Sequence, residues 1–204
     1  MSDLKFKNFI FDFGQVIVKF DTEYMTSVYI KPEDIKKVEE VVFDRLYWDR
    51  LDEGTITDEE VRKGICERLP KELHTDACRV YDNWYKNLEF IEGMPELIKD
   101  IKAKGGKLYL LSNISETFAK EYKNVSNISD ILNSFDGLVF SAPLGITKPN
   151  KEIFRYILNE YNLKSSDTVF IDDNEKNVSA SCKENIFGYL FDGDAQTLRG
   201  YLGL

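Results

Sequence analysis

The chain has 204 residues, of which 43% are hydrophobic, and its formal net charge is −9. That length and apolar fraction suffice for one α/β domain with an insertion, or two small domains, built on a real core. The acidic balance excludes nucleic acid and anionic membranes as default partners, because both require a positive field.

In chain order, the opening MSDLKFKNFIF has no cleavable apolar region followed by small residues, and its apolar run is too short to span a bilayer. The first predicted element is a strand over 8–12, NFIFD, which ends on the carboxylate of Asp12. From about 22 to 90 no comparable strand follows. Amphipathic helical patterns run instead over 32–43, 57–69 and 75–87, with the segment 44–50 and a turn at Glu53-Gly54 between the first two. Thr57-Asp58-Glu59-Glu60 supplies an N-cap and an acidic first turn. After 90 the pattern changes to alternation. A helix over 96–104, stopped by Gly105-Gly106, precedes a strand over 107–112. A helix over 115–124 precedes a strand over 138–141. A helix over 152–161, opened by Pro149-Asn150, precedes a strand over 168–172. A helix over 175–185 precedes a last strand over 187–191. The strands are nearly continuous in hydrophobicity, as in parallel sheets buried on both faces. The expected fold is therefore α/β, a doubly wound parallel sheet with a helical module inserted after its first strand.

The chain has one histidine, His74, and three scattered cysteines, Cys66, Cys78 and Cys182. A single imidazole builds neither a zinc site nor a Ser/His/Asp or Cys/His nucleophile pair without further partners; His74 reads as a solvated helix-cap residue and the cysteines as buried or idle thiols. Reduced thiols without an export signal suggest the cytoplasm.

In an open parallel sheet, ligands bind beyond the carboxyl ends of the strands. The first strand ends at Asp12, the second at Ser112-Asn113 and the fourth at Asp172-Asp173, while the loop after the third carries Lys148 in GITKPNKEIF. Singly, Asp12 is an ordinary turn or cap residue, Ser112-Asn113 an ordinary helix start, and Lys148 an ordinary surface lysine. The Asp172-Asp173 pair is harder to dismiss. Two like charges at a buried strand end repel and lose solvation, so such pairs usually hold a metal or do acid–base work.

The segments FDFGQV, LLSN, GITKP and VFIDDNEKN, in that order, resemble the four motifs of the haloacid dehalogenase superfamily. The resemblance implies a Rossmann-like core over 1–20 and 91–204 with a helical cap over 21–90. It implies Asp12 as the nucleophile toward a small phosphate ester, and the acidic charge leaves neither nucleic acid nor membrane as an expected partner. Ser112 and Asn113 would hold the phosphoryl oxygens, and Lys148 would steady them. Magnesium would be held by Asp12, the backbone carbonyl of Gly14, Asp173, and Asp172 either directly or from behind, with Asn177 behind them. Mg²⁺ suits such a set, since it favours oxygen ligands and offsets carboxylate–phosphate repulsion.

One residue departs from the usual pattern. The superfamily commonly carries a second acid two residues after the nucleophile, and here that position is Gly14. General acid–base assistance is worth roughly 10²–10⁴-fold in rate. Asp21, Asp49 and Glu53 are the substitutes suggested by location. The Asp-Phe-Gly-Gln-Val pattern resembles the Asp-Leu-Gly-Asn-Val version of a bacterial subgroup that includes an α-glucose-1-phosphate phosphatase, which implies a sugar phosphate as one substrate. Two alternatives stay open: 2-haloacid dehalogenation, which needs no metal, and phosphate binding without turnover. In the cap, Arg45, Tyr47, Trp48, Asp49 and Arg50 offer a stacking surface and charge; equally, Leu46, Tyr47 and Leu51 read as cap core, with Arg45, Asp49 and Arg50 as its solvated face.

Overall fold

A computed structural model describes residues 4–204. Five strands, β1 (Asn8–Phe11), β4 (Lys107–Ser112), β5 (Gly137–Phe140), β6 (Thr168–Asp172) and β7 (Phe187–Leu190), form one sheet of order β5-β4-β1-β6-β7. Every neighbour pair is parallel; Phe9 lies opposite Leu108 on one side and Val169 on the other. Period-two alternation divides β1 between two apolar layers. Phe9 and Phe11 join Leu108, Leu110, Val169 and Ile171 on one face. Ile10 joins Leu111, Phe170, Ile153 and Phe154 on the other. The first strand is thus buried on both faces, as its unbroken apolar run requires. At the sheet edge the expectation fails: Phe187 and Leu190 of β7 are 48% and 50% exposed.

Two further strands, β2 (Val18–Lys19) and β3 (Glu89–Phe90), pair antiparallel with Val18 opposite Phe90. Ile91 N–H also donates to the Ile17 carbonyl, 3.0 Å away. They tie together the two chain segments that bound an insertion of five α-helices: α1 (Thr22–Ser27), α2 (Ile35–Val42), α3 (Arg45–Asp52), α4 (Asp58–Arg68) and α5 (His74–Asn83). The expected start of α4 is realised as a capping box: the Thr57 hydroxyl accepts from Glu60 N–H, and the Glu60 carboxylate accepts from Thr57 N–H. The helical pattern over 75–87 is α-helical only through Asn83 and finishes as a 3₁₀ turn over Trp84–Asn87. Tyr47, Trp48 and Leu51 of α3 are buried, whereas Leu46 points outward at 59% exposure and is not core. His74 is half-buried rather than solvated, its ring nitrogen 2.9 Å from the Leu69 carbonyl. Helices α4 and α5 bring the half-buried thiols of Cys66 and Cys78 to 3.9 Å, while Cys182 is exposed.

The remaining helices are α6 (Met94–Ala103), α7 (Glu116–Glu121), α8 (Ser126–Leu132), α9 (Ser141–Leu144), α10 (Lys151–Glu160), α11 (Glu175–Lys183) and α12 (Ala195–Leu202). The sequence reading lacked α1, α3, α8, α9 and α12. Among the described residues, no helix is long and apolar enough to cross a membrane.

Candidate functional site

Asp12 follows β1 directly, and its N–H still donates to the Ile171 carbonyl of β6 at 2.9 Å. Its side chain, 14% exposed, accepts from Phe13 N–H at 2.7 Å and lies 2.7 Å from Lys148 Nζ. Lys148 is supplied by the loop between α9 and α10 and its side chain is fully buried. Asn113 fixes that loop from the end of β4: its carboxamide oxygen accepts from Lys148 N–H at 2.8 Å and its amide donates to the Lys148 carbonyl at 2.9 Å. The ammonium also sits 2.8 Å from Asp172 Oδ2. Asp172 is fully buried at the tip of β6, where Asn174 N–H (2.8 Å) and the Asn177 amide (3.1 Å) donate to it. One buried cation is thereby bracketed by two carboxylates from adjacent strands.

Burial by itself would lower the Lys148 pKa, but Asp12 and Asp172 outweigh it and hold the ammonium above its ordinary value. Burial raises the Asp12 pKa, helped by the charge of Asp172 and opposed by Lys148 and Phe13 N–H. Burial and Asp172 likewise raise Asp173. Oxygen atoms of Asp12, Asp172 and Asp173 all lie within 4.8 Å of one another. An all-oxygen, anionic donor set of this kind fits a hard divalent cation such as Mg²⁺ and gives a soft metal no nitrogen or sulfur ligand. Ser112 is buried at the tip of β4; among the described residues its hydroxyl has only a long contact, 3.5 Å, to the Asn113 carbonyl.

The structure thus brings Asp12, Ser112, Asn113, Lys148, Asp172, Asp173 and Asn177 to one rim. Asn113 differs from expectation in one respect: its carboxamide is engaged with the backbone of Lys148.

Above the rim lies a cavity of about 240 Å³. Asp12, Gly14, Ser112 and Asn113 line its floor, and Phe20, Phe43, Trp48 and Trp84 its far wall. These rings pack on one another: Phe20 lies 5.4 Å from Trp48 and 5.7 Å from Trp84, and Phe43 stacks on Trp48 at 5.3 Å. A Cβ on Gly14 would meet no heavy atom within 4 Å.

None of the three acids suggested by location lines this cavity. Asp21 caps α1 by accepting from Tyr24 N–H, Asp49 is exposed and pairs with Arg45 at 2.8 Å, and Glu53 is exposed. Asp52, which the sequence reading missed, does line it, together with Arg45 and Trp48. The signal was present: residues 45, 48 and 52 are spaced i, i+3, i+7 and share one face of α3. Burial pushes the Asp52 pKa up to about 7, with Arg45 opposing and Asp49 and Asp12 adding to the rise.

Several contacts hold the inserted helices against the sheet domain. The buried Ser141 hydroxyl donates to the Asp52 carbonyl at 2.7 Å and accepts from Ile114 N–H at 2.9 Å. Thr117 donates to Asp58, which also accepts from the Tyr81 hydroxyl at 2.6 Å. Gly54 has φ +68°, and a Cβ there would fall 2.6 Å from the Ala142 carbonyl oxygen.

Comparison with known proteins identifies the family to which the fold belongs. A D-ribitol-5-phosphate phosphatase of Bacteroides thetaiotaomicron is 28% identical over 186 residues, covering 84% of this chain and 85% of the relative. A sesquiterpene phosphatase of Aspergillus oryzae is 22% identical, covering 86% of this chain and 85% of its own. Among solved structures, the magnesium complex of a haloacid dehalogenase family enzyme from B. thetaiotaomicron superposes with a TM-score of 0.72 at 25% identity, covering 96% of this chain and 99% of that one. An L-2-haloacid dehalogenase of Xanthobacter autotrophicus shares the fold at a TM-score of 0.64 and 14% identity, over 90% of this chain and 76% of that one. The family model for haloacid dehalogenase-like hydrolases matches residues 6–181. The chain belongs to the haloacid dehalogenase-like hydrolases.

Proposed function

We propose that this chain is a Mg²⁺-dependent phosphatase acting on a small phosphate ester through an aspartyl-phosphate on Asp12, with residues 21–90 serving as a cap over the core formed by 1–20 and 91–204. The observation that carries the reading is the buried Lys148 ammonium, 2.7 Å from Asp12 and 2.8 Å from Asp172, beside the carboxylate of Asp173. A carboxylate and a phosphate repel, so a site built for their reaction needs cations already in place.

Asp12 attacks phosphorus: a bond forms from its carboxylate oxygen while the ester P–O bond breaks, and water then cleaves the acyl phosphate to return Asp12 and free phosphate. Lys148 stays charged throughout and offsets the equatorial oxygens. Ser112 donates to one of them. Asn113 keeps the lysine loop in place through its carboxamide and meets the phosphoryl group through its backbone. Asp12, Asp173 and the Gly14 carbonyl would hold Mg²⁺, with Asp172, paired with Lys148 and oriented by Asn177, as a further ligand or a support behind them. When bound, the ion supplies charge neutralisation and Lewis acidity at the phosphoryl oxygens.

The paired Asp172 and Asp173 favour this reading over metal-free dehalogenation, which has no use for two acids there. Two substrate classes have support. A sugar or polyol phosphate is favoured by the ribitol-5-phosphate phosphatase relative. An ester with an apolar leaving group is favoured by the aromatic wall of the cavity and by the sesquiterpene phosphatase relative.

A panel of polyol, sugar, isoprenoid and acyl phosphates, assayed for phosphate release with Mg²⁺ and with chelator, tests the proposal. The expected result is turnover that stops with chelator and is abolished in Asp12→Asn. Full activity in Asp12→Asn would remove the assigned nucleophile, and undiminished activity in chelator would remove the ion.

A further inference from the structure

We infer that Asp52, carried by the inserted helix α3, is the general acid and base of the reaction and takes the place of the carboxyl that Gly14 lacks. The inference rests on the phosphatase reading above.

Among the described residues, Asp12 and Asp52 are the acidic side chains that line the cavity. Asp12 is committed to bonding with phosphorus, which leaves Asp52 to handle protons. Gly14 adds no side chain, and the space beside it is open, so the floor provides no competing acid. The place of Asp52 is set by the sheet domain itself. The Ser141 hydroxyl holds its backbone carbonyl at 2.7 Å and also takes the N–H of Ile114, one residue beyond Asn113. Two residues on, Gly54 abuts the Ala142 carbonyl. The end of α3 is therefore anchored to the same loop that bears the phosphate-facing residues, as a proton-transfer group requires.

The groups facing Asp52 are Arg45 and Asp49 from its own helix, Asp12 from the tip of β1 and Lys148 from the loop before α10. Burial dominates among them and raises the carboxyl to about 7, so both protonation states are available near neutrality.

The proton balance closes. In the first step protonated Asp52 gives its proton to the bridging ester oxygen as the P–O bond breaks, while the Asp12–phosphorus bond forms; the alcohol leaves neutral. In the second step the Asp52 carboxylate takes a proton from water as the water oxygen attacks phosphorus. The Asp12–phosphorus bond breaks, phosphate departs, and Asp52 is again protonated.

The test compares the wild-type chain with Asp52→Asn, which keeps the shape of the side chain, on β-glycerol phosphate and p-nitrophenyl phosphate in Mg²⁺. An alkoxide needs a proton to leave; p-nitrophenolate does not. We expect kcat/KM on the glycerol ester to fall by about 10²-fold or more, and on the nitrophenyl ester by less than about tenfold. On the nitrophenyl ester kcat should still fall, with a burst of p-nitrophenol stoichiometric with enzyme, because aspartyl-phosphate accumulates without its base. The alkaline decline of kcat/KM on the glycerol ester should also disappear. Equal losses on both esters without a burst, or no loss on either, would overturn the role of Asp52 while leaving the phosphatase reading intact. A wild-type chain that releases no phosphate from any ester, or an Asp12→Asn variant as active as wild type, would overturn both.

Discussion

Replacing Lys148 by Met tests the electrostatic design of the rim. The exchange keeps an unbranched stem and removes one charge from a site where the lysine side chain and that of Asp172 are fully buried and that of Asp12 is 14% exposed. Two carboxylates then face each other without the cation between them. Breaking a buried ion pair from one side costs about 3–5 kcal/mol, because the surviving charge stays desolvated. In a chain of 204 residues each kcal/mol shifts the melting midpoint by about 2–4 °C, so the expected drop is roughly 6–20 °C. The assay is thermal unfolding in chelator, repeated with excess Mg²⁺. Because Asp12, Asp172 and Asp173 remain, the divalent cation should recover part of the loss in the variant and stabilise it more than it does the wild type. Turnover should fall by about 10²–10³-fold even with Mg²⁺, since a preorganised charge at the phosphoryl oxygens is gone. A variant that melts within about 2 °C of wild type in chelator, or is indifferent to Mg²⁺, would show that the three charges are not balanced against one another as argued.

Ser141→Ala removes a fully buried hydroxyl that serves Asp52 and Ile114 at once. The expected cost is about 1–3 kcal/mol from the stranded backbone groups, read as a lower urea midpoint at constant slope; a change under about 0.5 kcal/mol would mean that water replaces the hydroxyl freely. Asp136 lies where β5 begins and accepts from Leu108 N–H at 2.9 Å and from Lys102 at 2.6 Å. Burial opposes its ionisation, yet Lys102, Leu108 N–H and Lys107 together hold its pKa below the ordinary value. Its contribution to stability is therefore present above roughly pH 3.9 and is lost as pH falls through the depressed folded value. Asp136→Asn should cost about 1.5–3 kcal/mol at pH 7 and progressively less in acid; equal stability at pH 7 would refute the assignment.

The parts of the fold that were legible in the sequence are those where one strand carries its own signal. β1, β4 and β6 read as unbroken apolar runs because both their faces are covered, and a parallel sheet puts their C-terminal residues on a common rim. Asp12, Ser112 and Asp172 followed from topology without knowledge of any side-chain position. β2 and β3 did not, since two residues each leave no periodicity to detect. α12 was legible in principle: Ala195, Leu198 and Leu202 are buried at i, i+3, i+7 after the Asp194 cap. Asp192-Gly193, with Gly193 at φ +90°, even marks the turn that separates it from β7. The pairing of the Asn113 carboxamide with the Lys148 backbone joins positions 35 apart, and no local pattern encodes it. Asp52 lay between. The face of α3 to which it belongs could be drawn on a helical wheel, but which face looks toward Asp12 depends on how the insertion docks.

That docking links specificity to chemistry in physical terms. The Ser141 hydroxyl has one hydrogen to give and gives it to the insertion, while its oxygen accepts from the loop that follows Ser112 and Asn113. Moving α3 away therefore breaks a bond that also steadies the loop, and it carries Asp52, Trp48 and Arg45 out of the cavity together. A leaving group that fits against the aromatic wall favours the docked arrangement, because only then are the wall and the floor both in reach. The same arrangement narrows the space above Asp12 with the apolar rings of Phe20, Trp48 and Trp84, which strengthens the charge interactions there. Substrate recognition by the inserted helices and proton transfer by Asp52 thus depend on a single packing event, so substitutions at the seam should alter kcat and KM together, whereas substitutions confined to the aromatic wall should act mainly on KM.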